Sequence, residues 1–313
     1  MRAPPSARVR TALLSSLALL ALRFAACSTN FYEQSNIYSL RVLGVQANPA
    51  ELILQDGGPL PATTFTALAV EPSGAPITTV FALCLQQGVL PAANLACPGD
   101  AGLQLPDAGP LSATLDLNSP AIQSLALSLL ASLDGGISSA GSLLAAGIPL
   151  AIGFTADAPA YGNPDGGPPP TPGYSDQHLI GFTDINLRSA DPNNPINHNP
   201  QLAAVTANQQ PLDPGGATQF SVNTQLTLAP VPASDAKEPL PDGGVESLDY
   251  SFYTTSGSLS DLRSTDTTAT GQPGIITTTY TAPATPGPVR LWVVVRDGRG
   301  GIGWLERDFS VIP

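Results

Sequence analysis

The chain has 313 residues, a length typical of about two domains. Only 12% of the residues are charged, whereas Pro (33) and Gly (30) are abundant, which argues against a helical enzyme and favours β-sandwiches with many turns. Four of the twelve basic residues and none of the acidic ones precede Cys27, so residues 27–313 carry eight basic and 24 acidic side chains, a net charge of −16. Such a charge repels phosphate backbones and argues against nucleic acid as a partner.

The first 26 residues have the pattern of a secretion signal. Arg2, Arg8 and Arg10 give a positive start, and the 12 residues 11–22 (TALLSSLALLAL) form an apolar run. This run is too short to span a bilayer, which needs about 20 residues, but it fits the apolar core of a signal peptide. We therefore predict that the protein is exported.

The end of this segment, Phe24-Ala25-Ala26-Cys27, resembles a bacterial lipobox, in which a large apolar residue and two small residues precede a cysteine. The resemblance implies that residues 1–26 are removed as a lipoprotein signal peptide and that Cys27 carries fatty acyl chains such as palmitate. Several acyl chains anchor a protein stably to a membrane. Ser28 stands where an Asp would retain the protein at the inner membrane, so the family's sorting rule implies the outer membrane. The alternative interpretation of Cys27 is a buried structural cysteine.

Two further cysteines, Cys84 and Cys97, remain if Cys27 is lipidated. An exported protein occupies an oxidising compartment, so we predict a disulfide between them. A metal site would need additional ligands, and neither His nor a third Cys is near them in the sequence.

After a polar segment at residues 28–38 the chain repeats one pattern. Residues 42–48 resemble residues 202–208, and each segment is followed by a Gly-Gly turn and an alternating strand. Residues 147–157 resemble residues 287–297, and a further strand closes each unit. Runs rich in Val, Thr, Leu, Phe and Tyr, bounded by Pro, Gly, Asn and Asp, are typical of β-strands. The sequence therefore predicts two copies of one β-domain.

The predicted boundaries are a tether at 27–38, a first domain at 39–188, a linker at 189–200 and a second domain at 201–313. The first domain contains an insertion near 119–146. Ser119-Pro120 is a typical helix start, and leucines at helical spacing follow it. We interpret this stretch as a helix packed over one end of the domain, or alternatively as an apolar flap that binds a partner.

The second unit resembles the bacterial immunoglobulin-like domains, including their PKD-like and cadherin-like relatives. The resemblance lies in Tyr280-Thr281-Ala282-Pro283, the strand at 289–295 and the turn Asp297-Gly298-Arg299-Gly300-Gly301. It implies an all-β fold of two tandem Ig-like β-sandwiches, the first with a short helical insertion. The resemblance is specific for fold and carries little information about function.

Candidate catalytic groups are scattered along the sequence. The two histidines, His178 and His198, are about 20 residues apart and have no Cys or acidic cluster at metal-ligand spacing. Glu306 and Asp308 alternate on one predicted strand and could in principle form an acid–base pair, but we interpret them as solvated surface. Because no catalytic motif is recognisable, we predict a protein that is not an enzyme and holds no cofactor.

A cation between the domains is a weaker hypothesis. The recurring Asp-Gly-Gly and Asp-Ala-Gly motifs lack the Asp-x-Asp spacing of a calcium loop and favour turns. Asp184, Asp191 and Asp297 lie near the predicted junction and are the weak metal candidates.

These features together predict a cell-envelope lipoprotein with a structural or binding role, such as adhesion. It would be anchored in the outer membrane, facing either the periplasm or the exterior, with a protein or glycan as partner. The alternatives are an accessory or enzymatic subunit acting on envelope polysaccharide, and a carrier of a small ligand.

Overall fold

A computed structural model describes residues 34–84, 97, 102–124, 144–159, 177–241, 243–267 and 271–313. The regular structure of these residues is almost all β-strand, and the strands occur in the following order: β1 (Arg41–Asn48), β2 (Leu52–Leu54), β3 (Ala62–Val70), β4 (Thr78–Cys84), β5 (Gly102–Gln104), β6 (Asp107–Gly109), β7 (Ser112–Asp116), β8 (Ile148–Ala158), β9 (Gln177–Ser189), β10 (Leu202–Ala207), β11 (Gln210–Pro211), β12 (Gln219–Ser221), β13 (Gln225–Pro232), β14 (Asp249–Thr254), β15 (Ser258–Leu259), β16 (Arg263–Thr265), β17 (Thr278–Thr281), β18 (Gly287–Arg296) and β19 (Ile302–Ile312).

Two pairs of sheets form two sandwiches. The first sandwich has the strand orders β1-β3-β7-β6 and β2-β9-β8-β4-β5, and the second has β11-β10-β13-β17-β15 and β12-β19-β18-β14-β16. Neighbouring strands are antiparallel, except that β2 runs parallel to β9 and β12 runs parallel to β19. Apart from the additional β11, the two sandwiches therefore match strand for strand, which agrees with the repeat read from the sequence.

The strand order is that of an immunoglobulin-like sandwich. In chain order the first, second, fifth and fourth Ig strands (A, B, E, D) share one sheet, and C, F and G share the other. Strands β10, β13, β17 and β15 occupy the A, B, E and D places, and β14, β18 and β19 occupy C, F and G. The predicted fold class of two tandem Ig-like β-sandwiches is confirmed.

Each sandwich encloses its own apolar core. Phe65, Phe81 and Phe154 pack in the first core, with ring centroids about 6 Å apart in successive pairs. In the second core Phe309 contacts Tyr280 edge to face, and Val293 is fully buried. Alternate side chains along each strand point inward, as expected from the period of two in a β-strand.

The two sandwiches also share a third apolar cluster between them. It joins Leu43, Leu68 and Val70 on the outer face of the β1–β3 pair to Trp292 and Val294 on the outer face of β18. Strand β18 is consequently buried on both faces, because Val293 and Val295 alternate with these residues and fill the second core. The run Leu291–Val295 is apolar throughout, as a strand buried on both faces requires.

Close approach of the two sandwiches depends on Gly44 in β1. A Cβ atom at this position would lie 3.3 Å from Ile302 Cγ2 and 3.7 Å from Val294 Cγ1. The contact is also hydrogen-bonded: Asn199 Nδ2 donates to the Ala47 carbonyl at 2.7 Å, and Asn199 Oδ1 accepts from the Ile302 amide at 3.0 Å. Asn199 therefore links both sandwiches.

The segments predicted as tether and linker are packed where the structure describes them. Ile37 is buried, its amide donates to the Thr254 carbonyl at 2.9 Å, and the Thr254 amide donates to the Ser35 carbonyl at 2.9 Å. In the linker, Asn197 is buried, and the Pro200 carbonyl lies only 1.9 Å from where a Cβ atom of Gly303 would stand. Apolar side chains and backbone groups of both segments find partners on the sandwiches, so neither segment is a free spacer over these residues.

The start of the predicted insertion is helical. Residues 120–124 form a helix, and Ser119 Oγ accepts a hydrogen bond from the Ile122 amide at 3.4 Å, as an N-cap serine does. Ile122 is buried in the first core, which supports the interpretation that the helix packs against the sandwich. Residues 125–143 of the insertion lie outside the described part of the chain. Among the described residues, no helical segment is long and apolar enough to cross a bilayer.

Candidate functional site

A polar pocket of about 350 Å³ opens on the outer face of the second sandwich, at the edge formed by β14, β16 and β18. Its lining consists of Asp249, Ser251, Arg263, Ser264, Thr265 and Arg296. Pockets that hold small ligands occupy roughly 300–1,000 Å³, so this one suits a ligand of monosaccharide size.

Strand register explains why these side chains meet. Asp249 on β14 pairs with Arg296 on β18 and with Thr265 on β16, and Ser251 pairs with Arg263. Residues directly opposite one another in a sheet share a face and stand a few ångströms apart. Two arginines that are separated by 33 positions in the sequence thus line one pocket.

Arg296 forms the inner wall of the pocket beside the contact between the sandwiches. Its Nη2 donates to the Leu43 carbonyl at 2.7 Å, and its Nη1 donates to Ser251 Oγ at 3.4 Å. Burial lowers the pKa of Arg296, and the positive charge of Arg263 lowers it further, whereas Tyr253 and Asp249 oppose this shift. The guanidinium remains charged, because arginine is not deprotonated in proteins.

Half of the eight basic residues in the described chain form ion pairs, and Arg263 and Arg296 belong to the other half, together with Arg41 and Arg307. Arg188, Lys237, Arg290 and Arg299 each form an ion pair with a carboxylate at a distance of 3.1 Å or less. Within the described ranges neither Arg263 nor Arg296 has a carboxylate oxygen within the 4.0 Å of an ion pair. Neither residue could be recognised from the sequence, because only the register of β14 with its two neighbours brings them together.

Two of the three cysteines, Cys84 and Cys97, lie in the part of the chain that the structure describes. Cys27, the predicted lipidation site, lies outside the described residues. The predicted disulfide between Cys84 and Cys97 is present, with the two Cα atoms 5.2 Å apart. It packs over Gly153 of β8, where a Cβ atom would lie 2.9 Å from Cys84 Sγ and 3.0 Å from Cys97 Sγ. Glycine at this position makes room for the disulfide against the sheet.

The structure does not gather the three weak metal candidates into one site. Among the described residues no three His, Cys, Asp or Glu side chains are placed to hold a metal ion, and Asp184, Asp191 and Asp297 are all described. Asp184 is exposed on β9, and Asp191 Oδ1 accepts the Asn193 amide at 2.9 Å in a local turn. This hydrogen bond gives Asp191 a local role in its turn.

Asp297 differs from the other two candidates because it is buried. Its Oδ1 accepts the amides of Arg299 at 2.7 Å and Gly301 at 2.9 Å, which closes the turn after β18. Burial raises the pKa of Asp297, and the negative charge of Glu246 raises it further, while the two backbone hydrogen bonds oppose the shift. The carboxylate therefore stabilises the turn through hydrogen bonds, although burial makes its charged form unfavourable.

The Asp297→Asn variant is expected to be more stable than wild type at neutral pH. Folding raises the pKa of Asp297 above the ordinary 3.8. The protonated side chain therefore makes its full contribution to the free energy of unfolding below pH 3.8, and this contribution is lost as the pH rises through the pKa of the folded protein. Asparagine keeps an oxygen for the two amides and does not titrate. Urea unfolding of both proteins between about pH 4 and pH 8 should give a difference in the free energy of unfolding that grows with pH.

Asp266→Asn is the matched control with the opposite sign. Burial alone would raise the pKa of Asp266, but hydrogen bonds from Lys237 and the Leu248 amide outweigh burial and lower the pKa. The contribution of Asp266 is thus present above its unfolded pKa and lost in acid, so its replacement should destabilise the protein at neutral pH. A difference between Asp297→Asn and wild type that stays constant with pH would contradict the assignment.

The candidate catalytic residues are already engaged in local pairs. His178 Nδ1 lies 2.6 Å from Asp157 Oδ1, and His198 Nδ1 contacts Glu238. Glu306 and Asp308 both pair with Arg290, at 3.1 and 2.9 Å. Such pairs are typical of a solvated protein surface.

No family model and no curated protein sequence matches the chain. Among solved structures it is similar to the D00–D0 domain of intimin, with 11% identity over 88% of this chain and 99% of that one and a TM-score of 0.24. It is similar to extracellular cadherin domains 3–6 of protocadherin gamma B2, with 10% identity over 89% of this chain and 52% of that one and a TM-score of 0.19.

A third similar structure is Bacteroides ovatus SGBP-B of a mixed-linkage glucan utilization locus, in complex with a mixed-linkage heptasaccharide. The identity is 11% over 88% of this chain and 47% of that one, with a TM-score of 0.19. The chain thus spans about half the length of this protein and of the protocadherin fragment. The Ig-like assignment rests on the strand order of the chain itself.

Proposed function

We propose that this chain is a cell-envelope lipoprotein, anchored in the outer membrane through acylated Cys27, that acts by binding and not by catalysis. The observation that carries the binding role is the pocket in which Arg263 and Arg296 are left without an ion pair in an acidic chain. A binding site needs preorganised polar groups on a rigid support. The second sandwich supplies that support, since β18 is fixed by a core on each face.

The anchoring half of the proposal is supported by the lipobox resemblance at residues 24–27 and by the disulfide at Cys84 and Cys97, which suits an oxidising compartment. The role places the pocket outside the inner membrane, where glycans and proteins of the envelope or its surroundings are accessible. Whether the protein faces the periplasm or the exterior is decided by protease treatment of intact cells.

Replacement of Cys27 with serine tests the anchor. In cells fed an alkyne analogue of palmitate, we expect the wild-type protein to be labelled and to fractionate with the outer membrane, and the Cys27→Ser variant to be unlabelled and released. Ser28→Asp is the matched control, because it should keep the label and move the protein to the inner membrane. An unacylated mature protein that begins elsewhere would contradict the anchor.

A deletion strain tests the role itself. We expect loss of the protein to change adhesion or envelope integrity, and we expect wild type but not Arg263→Gln to restore the phenotype. A deletion strain that behaves as wild type in both assays counts against a structural or binding role.

A further inference from the structure

The starting point is a pair of like charges in one pocket. Arg263 and Arg296 both line it, and the positive charge of Arg263 adds to the larger effect of burial in lowering the pKa of Arg296. Residues 27–313 contain three acidic side chains for each basic one, so carboxylate partners are plentiful. Two guanidinium groups that line one pocket repel each other, and a bound anion that neutralises them removes this repulsion.

The charge of the pocket limits the charge of that anion. Two arginines and Asp249 give the lining a net charge of +1, and Asp249 pairs in register with Arg296. A dianion such as a phosphate monoester would meet repulsion from Asp249 and would be only half neutralised. A monoanion balances the lining, and a carboxylate matches the planar fork of a guanidinium with two parallel hydrogen bonds.

The remaining lining groups favour hydroxyl-rich ligands. Thr265 and Ser251 contribute hydroxyl groups beside the arginines, and the Asp249 carboxylate is an acceptor for ligand hydroxyls. Asp249 and Arg263 are exposed, whereas Ser251 is buried, so the pocket has a polar floor and an open, charged rim. The volume of about 350 Å³ suits a single sugar ring.

We propose that this pocket binds an acidic sugar, a hexuronate, whose carboxylate lies between Arg263 and Arg296 and whose ring hydroxyls bond Asp249, Ser251 and Thr265. This inference rests on the proposed binding role and names its ligand class. The same chemistry is available from a free uronic acid and from a uronate residue within a polysaccharide, and the two sources are separated by the length of the ligand.

The purified full chain is titrated with glucuronate and galacturonate, and binding is detected by calorimetry and by saturation-transfer NMR. Glucose, acetate and inorganic phosphate are the comparison ligands. We expect saturable binding of at least one uronate, about tenfold or more tighter than glucose, because a charge-assisted hydrogen bond contributes roughly 1.5–3 kcal/mol. We expect the same uronate to bind more tightly than acetate, because only the uronate carries ring hydroxyls for Asp249, Ser251 and Thr265. A galacturonate oligosaccharide that binds more tightly than the monomer assigns the site to a polysaccharide.

Arg263→Gln should weaken uronate binding about tenfold or more, because it removes one of the two guanidinium groups that bind the carboxylate. Arg290→Gln is the matched control, because it removes a positive charge from the same sheet face at a residue that pairs with Glu306 and Asp308 and does not line the pocket. Arg263→Lys keeps the charge but not the fork and should give an intermediate loss. Asp249→Asn should raise the affinity for phosphate relative to uronate, because the lining then carries a charge of +2.

Three results would overturn the inference. The first is that no uronate binds more tightly than glucose, and the second is that acetate or phosphate binds as tightly as the uronates. The third is that Arg263→Gln and Arg290→Gln weaken uronate binding equally. The melting temperature of each variant shows that a loss of binding is not a loss of fold. The Cys27 experiment has no bearing on these titrations, so failure of uronate binding and failure of the anchored role are distinguishable.

Discussion

Replacing Arg188 with methionine is expected to lower the free energy of unfolding by about 3–5 kcal/mol, the usual cost of removing one partner of a buried ion pair. Arg188 and Glu51 are 3% and 5% exposed and form a two-pronged contact, with Nε–Oε2 at 2.9 Å and Nη2–Oε1 at 2.7 Å. Removal of the guanidinium leaves the Glu51 carboxylate buried with one hydrogen bond from the Asn197 amide. Urea unfolding at pH 7 measures the loss.

The double variant Arg188→Met with Glu51→Leu provides the control. Replacing both members of a buried pair with apolar groups is often close to neutral, so we expect it to recover much of the stability lost in the single variant. Recovery will be incomplete, because Arg188 Nη2 also donates to the Asn194 and Pro195 carbonyls at 3.1 Å each. A single variant within about 1 kcal/mol of wild type would show that the pair does not hold the linker.

Replacing Trp292 with alanine is expected to cost about 3–5 kcal/mol and to uncouple the two sandwiches. Trp292 is 3% exposed in the cluster between them, and its Nε1 donates to Glu306 Oε2 at 2.9 Å. Its side chain points away from the second core, which Val293 fills from the opposite face of β18. The second sandwich should therefore keep its own packing while losing contact with the first.

Calorimetry distinguishes uncoupling from general destabilisation. We expect wild type to unfold in one transition, because the two domains share a buried apolar interface, and Trp292→Ala to unfold in two. Trp304→Ala, at a partly buried position of the same cluster, should have a smaller effect. Phe309→Ala, in the second core, should destabilise that sandwich without separating the transitions. One unshifted transition in Trp292→Ala would contradict the coupling.

The apolar cluster between the two sandwiches is expected to prevent them from moving independently. Tandem domains joined by a loose linker move independently unless a large apolar contact holds them. Here the linker is hydrogen-bonded through Asn199 to both sandwiches, and Ile37 from the predicted tether joins the same cluster. Arg296, which lines the pocket, also donates to the Leu43 carbonyl of the first sandwich, so the proposed ligand site and the domain contact share a residue.

The local features of the fold were predictable because short-range physics determines them. The alternation in residues 62–70, the glycine-rich turn after Asp297 and the helix start at Ser119 follow from strand periodicity, positive φ and N-capping, which involve only neighbours in sequence. Gly298 and Gly300 in that turn have φ of 77° and 109°. The repeat of residues 147–157 at 287–297 likewise predicted the shared topology.

Pairing between distant strands was not predictable from these local signals. Residues 189–200 were predicted as a linker, but nothing in their sequence indicated that Asn197 would be buried or that Arg188, paired with Glu51, would donate to the Asn194 and Pro195 carbonyls. The one signal for the interface was the unbroken apolar run Leu291–Val295, which marks a strand buried on both faces. The pocket had no comparable signal, since Arg263 and Arg296 meet only through register.

The amino-acid sequence by itself determined the all-β class, the two repeated units and the Cys84–Cys97 pairing, because composition, alternation and cysteine count are properties of the chain. Only the tertiary structure decided that the two sandwiches pack face to face and that two unpaired arginines line one pocket. These features depend on which face of each strand meets which partner. A change of register by one residue would turn every such side chain to the opposite face of its sheet.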